Sequence, residues 1–173
     1  MTAFDTAWLL LKMPIVPGSL RYDKNAQPRR FDADFEDPIT GDIMPMTATH
    51  NAANMDDADF MSVEINHPDP EMARLLDSLG RLTVSDAPMS IHTTGENRKK
   101  GDVFWPYSSF VQNDFRRRGY ATAMYDMIAA ILDRHKGKQL HPSNSLSDEA
   151  TALWANKTKS TYPFGSWPVR DDL

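Results

Sequence analysis

The pattern that most constrains the fold is a long amphipathic helix that directly follows a strand. Within residues 119–136, six apolar residues recur at helical spacing: Tyr120, Met124, Met127, Ile128, Ile131 and Leu132. Residues 102–111 before it are dense in aromatic and β-branched side chains, which is typical of a central strand. We therefore predict a central sheet on which this helix is the most buried one.

Shorter patterns predict further strands of this sheet. Residues 60–66 alternate Met61, Val63 and Ile65 with polar neighbours, which is the period of a half-buried strand. Residues 94–101, with the sequence TGENRKKG, predict a polar hairpin loop. Other strands are expected at residues 8–13, 81–85, 89–94 and 138–140.

Two more helices are predicted from capping residues and apolar spacing. One is capped by Asp69, begins at Pro70 and carries one apolar stripe, which consists of Met72, Leu75, Leu76 and Leu79. The other is capped by Ser147, reaches residue 157 and turns Leu153 and Trp154 inward.

The length of 173 residues fits one domain, spanning residues 1–173. Its front, residues 17–58, is rich in Pro, Asp and Asn and predicts long loops with a short strand or turn. The elements together predict an α/β (α+β) fold. We expect a mostly antiparallel central sheet with helices on both faces.

Charge and composition argue against several functions. The net charge of −5 argues against nucleic acid as a partner, because neutralising phosphates needs a basic surface. The chain has no cysteine, which excludes disulfides and cysteine nucleophiles, and its five histidines show no metal-ligand spacing. No metal site is predicted. The apolar run at residues 7–13 is too short to span a bilayer, so we expect a soluble, cytoplasmic protein.

Three cations, Arg116, Arg117 and Arg118, stand directly before Gly119 at the start of the long helix. The helix dipole disfavours positive charge at this end by about 0.3–1 kcal/mol per group. Exposed backbone amides, a glycine that permits close approach and guanidinium groups together suit an anion. The run therefore predicts an anion site, and the alternative is a solvated helix start.

The stretch VQNDFRRRGYATAMYDMIAAIL resembles motif A of the GCN5-related N-acetyltransferases, written Arg/Gln-x-x-Gly-x-Gly/Ala at a strand-to-helix turn. Arg116, Gly119 and Ala121 match its three fixed positions. Downstream, HPSNSLSDEATALW resembles the next strand and helix of the family, including several phage-encoded members. The resemblance covers about residues 100–160, which would form the coenzyme A-binding core.

This resemblance implies acetyl-CoA as the cofactor and the turn at residues 116–121 as its pyrophosphate loop. It implies contacts to the pantetheine arm from the backbone of Phe110 and Val111, and further cofactor contacts from Ser143 and Asn144. The implied loop residues are Arg116, Arg117, Arg118, Gly119, Tyr120 and Ala121.

The implied reaction is direct attack of a primary amine on the thioester, which needs a base for the amine and an acid for the leaving thiolate. The family often has a tyrosine acid on the last helix, where this chain has Trp154, whose indole is no useful acid. Tyr107 and Tyr162 are the alternatives. For the base, Glu64 on the strand at residues 60–66 is the first choice, followed by His92 and Asp102. The simpler interpretation of Glu64 is a solvated side chain on a polar strand face.

The partner implied is an amine-bearing acceptor, either a small molecule or a protein lysine or N-terminus. Five front-loop acids would steer such a cation or form an exposed polar loop: Asp32, Asp34, Glu36, Asp37 and Asp42. The rival hypothesis is an inactive acetyltransferase-like scaffold with a virion or host-interaction role. The chain would form a homodimer or part of a virion assembly. If it is phage-encoded, it would be located in the host cytoplasm or in the virion. A third hypothesis, acetylation of a modified nucleobase, conflicts with the acidic net charge.

Overall fold

The computed structural model describes residues 15–16, 18–54, 58–86, 103–136, 138–141 and 148–158. Three predictions for local structure lie outside these residues: the strands at 8–13 and 89–94 and the hairpin loop at 94–101. Six residues predicted from the sequence also lie outside them, namely His92, Asp102, Ser143, Asn144, Ser147 and Tyr162.

The described residues form a mixed α and β fold around a curled sheet of seven strands. The strands lie in chain order, and every neighbouring pair is antiparallel except β6 and β7, which are parallel. The strands are β1 (Arg21–Asp23), β2 (Arg29–Glu36), β3 (Ile43–Asn54), β4 (Ala58–Ile65), β5 (Gly80–Ser85), β6 (Val103–Val111) and β7 (Gln139–Leu140). The predictions for strands at residues 60–66, 81–85, 102–111 and 138–140 are thereby confirmed.

The described helices are α1 (Pro70–Leu75), α2 (Tyr120–Lys136) and α3 (Asp148–Thr158). All six apolar residues predicted for the long helix are buried in α2, so its pattern is confirmed. In α3, Trp154 is buried and its ring lies 5.6 Å from that of Tyr125 on α2. None of the described helices combines the length and apolar character needed to cross a bilayer.

The prediction of long loops over residues 17–58 is wrong, because β1, β2 and the whole of β3 lie there. In β2, Phe31, Ala33 and Phe35 are buried and alternate with acidic residues, among which Asp32 and Asp34 form ion pairs. Asp has a low strand propensity, so the composition indicated loops although buried apolar residues and acidic residues alternate regularly. Pairing with neighbouring strands stabilises these acids on a strand, and Asp32 and Asp34 are therefore not residues of an exposed loop.

One face of the sheet is apolar and packs against α2. Side chains from five strands, β2 to β6, are buried there and form one cluster with the inner face of α2, including Phe35, Met46, Val63, Leu82 and Ile128. The opposite face is polar: Thr47 donates to Asp32 at 2.9 Å, and the Ser62 and Thr83 hydroxyls lie 3.0 Å apart. A helix on this second face stays a prediction.

Helix α1 begins as predicted, but its apolar stripe does not face the core. Asp69 caps it by accepting from the Glu71 amide at 2.8 Å, and Pro70 is its first residue. It ends at Leu75, which is 79% exposed, and Met72 and Leu76 are exposed as well. Leu79 is buried outside the helix, where its amide donates to the Ile65 carbonyl at 2.8 Å. A helix of six residues is too short to bury the whole stripe.

Truncating Ile128 is expected to lower the free energy of unfolding far more than truncating Leu75. Ile128→Ala removes a fully buried side chain between α2 and the sheet and is expected to cost about 2–5 kcal/mol. Leu75→Ala is expected to cost under about 0.5 kcal/mol, because Leu75 is exposed. Urea unfolding followed by circular dichroism measures both values, and equal losses would contradict this assignment of core and surface.

Candidate functional site

Strand β6 changes character along its length. Phe104 and Trp105 are buried, whereas the four residues that follow Pro106 are exposed, with Tyr107 at 75% and Phe110 at 50%. Strand β7 pairs with β6 only at Val103 and Phe104. Among the described strands, none pairs with the β7-side edge of the second half of β6. This half has one open edge beside an exposed surface.

The ladder with β5 shows which backbone groups face that edge. Gln112 donates its amide to the Leu79 carbonyl at 2.9 Å, so its backbone faces β5. Because alternate residues of a strand direct their N–H and C=O groups to opposite neighbours, Phe110 also faces β5, while Ser109 and Val111 face the open edge. The Val111 carbonyl accepts a hydrogen bond from Arg116 Nε at 3.1 Å, which agrees with this direction.

A β-bulge marks the start of the exposed half. Thr83 is opposite Ser108 and Val84 is opposite Pro106, so Tyr107 is an extra residue in β6. Bulges bend a strand, and they occur often beside active sites, where they change the direction of a side chain. The bulge therefore lies where β6 loses its burial, shortly after its pairing with β7 ends at Phe104.

A left-handed turn joins β6 to α2. After a short 3-10 helix, Asn113–Phe115, the chain has a φ of +61° at Arg117 and +86° at Gly119. The left-handed region costs a non-glycine residue about 1–2 kcal/mol, so Arg117 is strained, and Gly119 adopts it without that cost. We call residues 116–119 the arginine turn.

The amides that follow this turn are available to a ligand. Ala123 donates to the Gly119 carbonyl at 2.9 Å, which is the first hydrogen bond of α2. Among the described residues, the amides of residues 117–122 donate no backbone hydrogen bond of ordinary length and angle, although residues 116–119 form a turn. Amides at the positive end of a helix, here one of 17 residues, are groups that commonly bind anions, so the anion site stays a prediction.

The three arginines have different surroundings. Arg116 is exposed and braces the end of β6 through Val111, and Arg117 is exposed with no hydrogen-bond partner among the described residues. Arg118 is partly buried: its guanidinium lies 5.3 Å from the centre of the Phe115 ring and 3.5 Å from Asp37 Oδ2. Two of the three cations therefore face solvent beside the free amides, and the third is used within the fold.

Asp37, in the turn between β2 and β3, is the buried partner of this region. It is 0% exposed and accepts from the amides of Ile39 at 2.8 Å and Thr40 at 3.2 Å. It also accepts from the Tyr120 hydroxyl at 2.8 Å and from Arg118. Burial alone would raise the pKa of Asp37, but these hydrogen bonds together outweigh burial and hold the pKa below its ordinary value.

Tyr120 has only its backbone to offer a ligand. Its side chain is 1% exposed, packs against the rings of Phe35 and Phe115, and donates to Asp37. Burial, followed by the hydrogen bond to Asp37, raises the pKa of Tyr120 well above its ordinary value. The phenol therefore serves as a hydrogen-bond donor to Asp37. Only the backbone amide of Tyr120 remains for the predicted cofactor contact.

Tyr125, a buried residue of α2, was not singled out by the sequence. Burial raises its pKa, and interactions with the side chains of Ser109 on β6 and Trp154 on α3 partly offset that rise. The position where the resemblance expects a tyrosine thus holds a tryptophan that contacts a tyrosine from α2. The signal in the sequence was a tyrosine on the apolar side of a helix, where its hydroxyl needs a partner.

Two of the predicted catalytic residues, Glu64 and Tyr107, lie on the polar sheet face, and the third, Tyr162, lies outside the described residues. Glu64 Oε1 is 2.7 Å from Arg81 Nε on β5, and the next residue across the sheet in the same register is Phe110. The Tyr107 ring lies 6.0 Å from that of Phe60 in an edge-on arrangement. No group of three histidine or acidic side chains within the described ranges is arranged to hold a metal ion.

Comparison of the chain with protein-family models finds no match. Searches of curated proteins and of solved structures likewise find no match. The interpretation of the site therefore depends on the motif residues and on the geometry around the arginine turn.

The contribution of Asp37 to stability is expected to depend on pH. Asp37→Asn replaces an acceptor of four hydrogen bonds, three of them neutral donors and one cationic, and is expected to lower the free energy of unfolding at neutral pH by about 1–3 kcal/mol. The folded-state pKa of Asp37 lies below 3.8, so the stabilisation is complete above that pH and is lost as the pH falls through the folded value.

Urea unfolding of the wild type and the variant over a series of acidic pH values measures this difference. Asp42→Asn, at an exposed acid of the same turn, is the matched control and is expected to show no comparable loss. A difference between Asp37→Asn and wild type that stays constant down to the most acidic pH would contradict the assignment.

Proposed function

We propose that this chain is an acetyl-CoA-dependent N-acetyltransferase of the GCN5-related type, with helices on both faces of its sheet. The observation that carries the proposal is the open edge of β6, which leads directly into the arginine turn and the unpaired amides of α2. The strand edge can pair with an amide-bearing chain, and it adjoins an anion site that can bind a diphosphate. Coenzyme A has these two parts in the same order.

The arginine turn suits the pyrophosphate. The amides of residues 117–122 are the donors, and the dipole of α2 adds about 0.3–1 kcal/mol for a negative group at its N-terminus. Arg116 and Arg117 are exposed beside them. The Arg116 Nε is used by Val111, so its two terminal nitrogens are left for phosphate oxygens.

The open edge suits the pantetheine arm, whose amides can pair with a strand as an added strand does. By the direction of the ladder, the pairing groups are those of Ser109 and Val111, while Phe110 contributes its exposed ring. Ser143 and Asn144 stay cofactor contacts predicted by the resemblance.

The reaction is attack of a neutral primary amine on the thioester carbonyl, with the proton of the amine removed by a base and the thiolate protonated by an acid. Tyr125 is the proposed acid, because burial keeps its hydroxyl protonated and its side chain interacts with that of Ser109 on β6. Tyr107 and Tyr162 remain alternatives. Glu64 remains the proposed base, and it would have to share its carboxylate with Arg81.

An inactive scaffold that keeps the cofactor site is the second candidate. It is favoured by two observations: the ion pair that engages Glu64, and Trp154 at the position of the expected tyrosine. In that case the chain would bind a partner, such as a virion or host protein, instead of an amine substrate. Turnover separates the two candidates, because both predict cofactor binding and only one predicts thiol release.

Coenzyme A is expected to bind at the arginine turn. Arg116→Ala removes one guanidinium, and Gly119→Asp adds a negative charge and a side chain at a φ of +86°. Each is expected to weaken binding at least about tenfold, or about 1.4 kcal/mol, in isothermal calorimetry. Arg74→Ala, which removes a cation from the exposed helix α1, is the matched control and is expected to bind as the wild type does. Absence of wild-type binding at roughly tens of micromolar would refute the proposal.

Tyr125→Phe is expected to lower kcat about a hundredfold and to leave KM for acetyl-CoA unchanged, because only the acid is lost. A thiol-release assay over a panel of primary amines measures this, with Tyr107→Phe as the matched variant that keeps its activity. The reverse outcome would assign the acid to Tyr107, and full turnover in both would leave neither as the acid. In the same assay, retained turnover of Glu64→Gln would remove Glu64 as the base.

A further inference from the structure

The contact between Asp37 and the arginine turn joins two parts of the chain that are distant in sequence. Its carboxylate is 0% exposed and lies at the end of β2, while its partners Arg118 and Tyr120 follow 81 and 83 residues later. No motif in the sequence connects these residues. The contact is formed only when the β2–β3 turn packs against the start of α2.

We propose that Asp37 is a positioning residue that holds the arginine turn in its anion-binding shape. This inference rests on the proposed function, since it assigns a role within the same cofactor site. Asp37 acts through Arg118 and Tyr120 and makes no contact with the ligand itself.

The four hydrogen bonds of Asp37 show why it acts only by positioning. Oδ1 accepts from Ile39 and Thr40 of its own turn, which fixes the carboxylate to the sheet. Oδ2 accepts from Arg118 and Tyr120, which fixes the arginine turn to the carboxylate. Both oxygens are engaged and buried, so Asp37 is neither a base for the amine nor a ligand to the cofactor.

The arginine turn needs such a tether because its own interactions oppose its shape. Arg117 has an unfavourable left-handed φ, and three adjacent cations repel one another at the positive end of a helix dipole. Asp37 neutralises Arg118, which lies between the two left-handed residues Arg117 and Gly119. Without the tether, we expect the turn to relax, and its amides then no longer converge on one anion.

The pairing of Asp37 within the fold also limits the repulsion between its negative charge and an anionic ligand. An unpaired carboxylate near a diphosphate would repel it, whereas this one is paired with Arg118 and accepts a hydrogen bond from Tyr120. Its charge is balanced within the fold by Arg118 and by three neutral donors. The exposed cations, Arg116 and Arg117, keep their charge for the ligand.

Two variants weaken the contact between Asp37 and the arginine turn to different degrees. Asp37→Asn removes the charge, and Tyr120→Phe removes one hydrogen bond while keeping the ring contacts with Phe35 and Phe115. In both, KM for acetyl-CoA is expected to rise, by about tenfold for Asp37→Asn and less for Tyr120→Phe, with kcat at saturating cofactor unchanged. Asp42→Asn, in the same turn, is the matched control.

The two kinetic constants separate positioning from general stability. A variant that is partly unfolded loses kcat in proportion to its inactive fraction and keeps its KM. That result, or wild-type KM in both variants, would overturn the tether.

Amide hydrogen exchange without ligand keeps this test independent of the proposed function. The hydrogen-bonded amides that flank the arginine turn, those of Phe115, Arg116 and Ala123, are expected to exchange faster in Asp37→Asn and Tyr120→Phe than in wild type and Asp42→Asn. Unchanged exchange would overturn the tether even where coenzyme A binds. Absence of coenzyme A binding to wild type, together with faster exchange in the two variants, would refute the proposed function and leave the tether as a structural contact.

Discussion

The packing of α2 across one face of the sheet is the interaction on which the candidate site depends. Its buried stripe contacts a continuous apolar surface from β2 to β6, and each such side chain contributes about 1.5–3 kcal/mol when it is fully buried. This sum far exceeds the roughly 1–2 kcal/mol that the left-handed Arg117 costs. Burial of the helix can therefore stabilise a strained turn at its N-terminus.

The same packing explains why a polar site lies beside a dry core. Strand β6 stays paired with β5 up to Val111, whereas β7 pairs only with Val103 and Phe104, so Ser109 and Val111 face an edge that no described strand covers. The arginine turn is held at both ends, by the Val111 carbonyl and by Asp37. Strain, exposed amides and positive charge thus concentrate where two rigid elements meet, as is common at binding sites.

Most elements in the middle and C-terminal parts of the chain could be predicted, because the sequence signals there are local. The alternation in β4 and the helical spacing in α2 each reflect one buried face, and a glycine marks the turn between β6 and α2. The front could not be predicted in this way. In β2 and β3, Asp and Met side chains replace the usual β-branched residues, and the acids are stabilised by partners on neighbouring strands.

By itself, the sequence determined that a strand runs into the arginine turn and then into an amphipathic helix, because periodicity and glycine placement act over a few residues. The tertiary structure alone decided the rest of the site. It paired Asp37 with Tyr120 and Arg118, brought Tyr125 to Ser109, engaged Glu64 with Arg81, and turned the apolar side chains of α1 outward. Each of these outcomes depends on contacts between segments distant in the chain or on the burial available after the sheet has formed, and no local pattern encodes them.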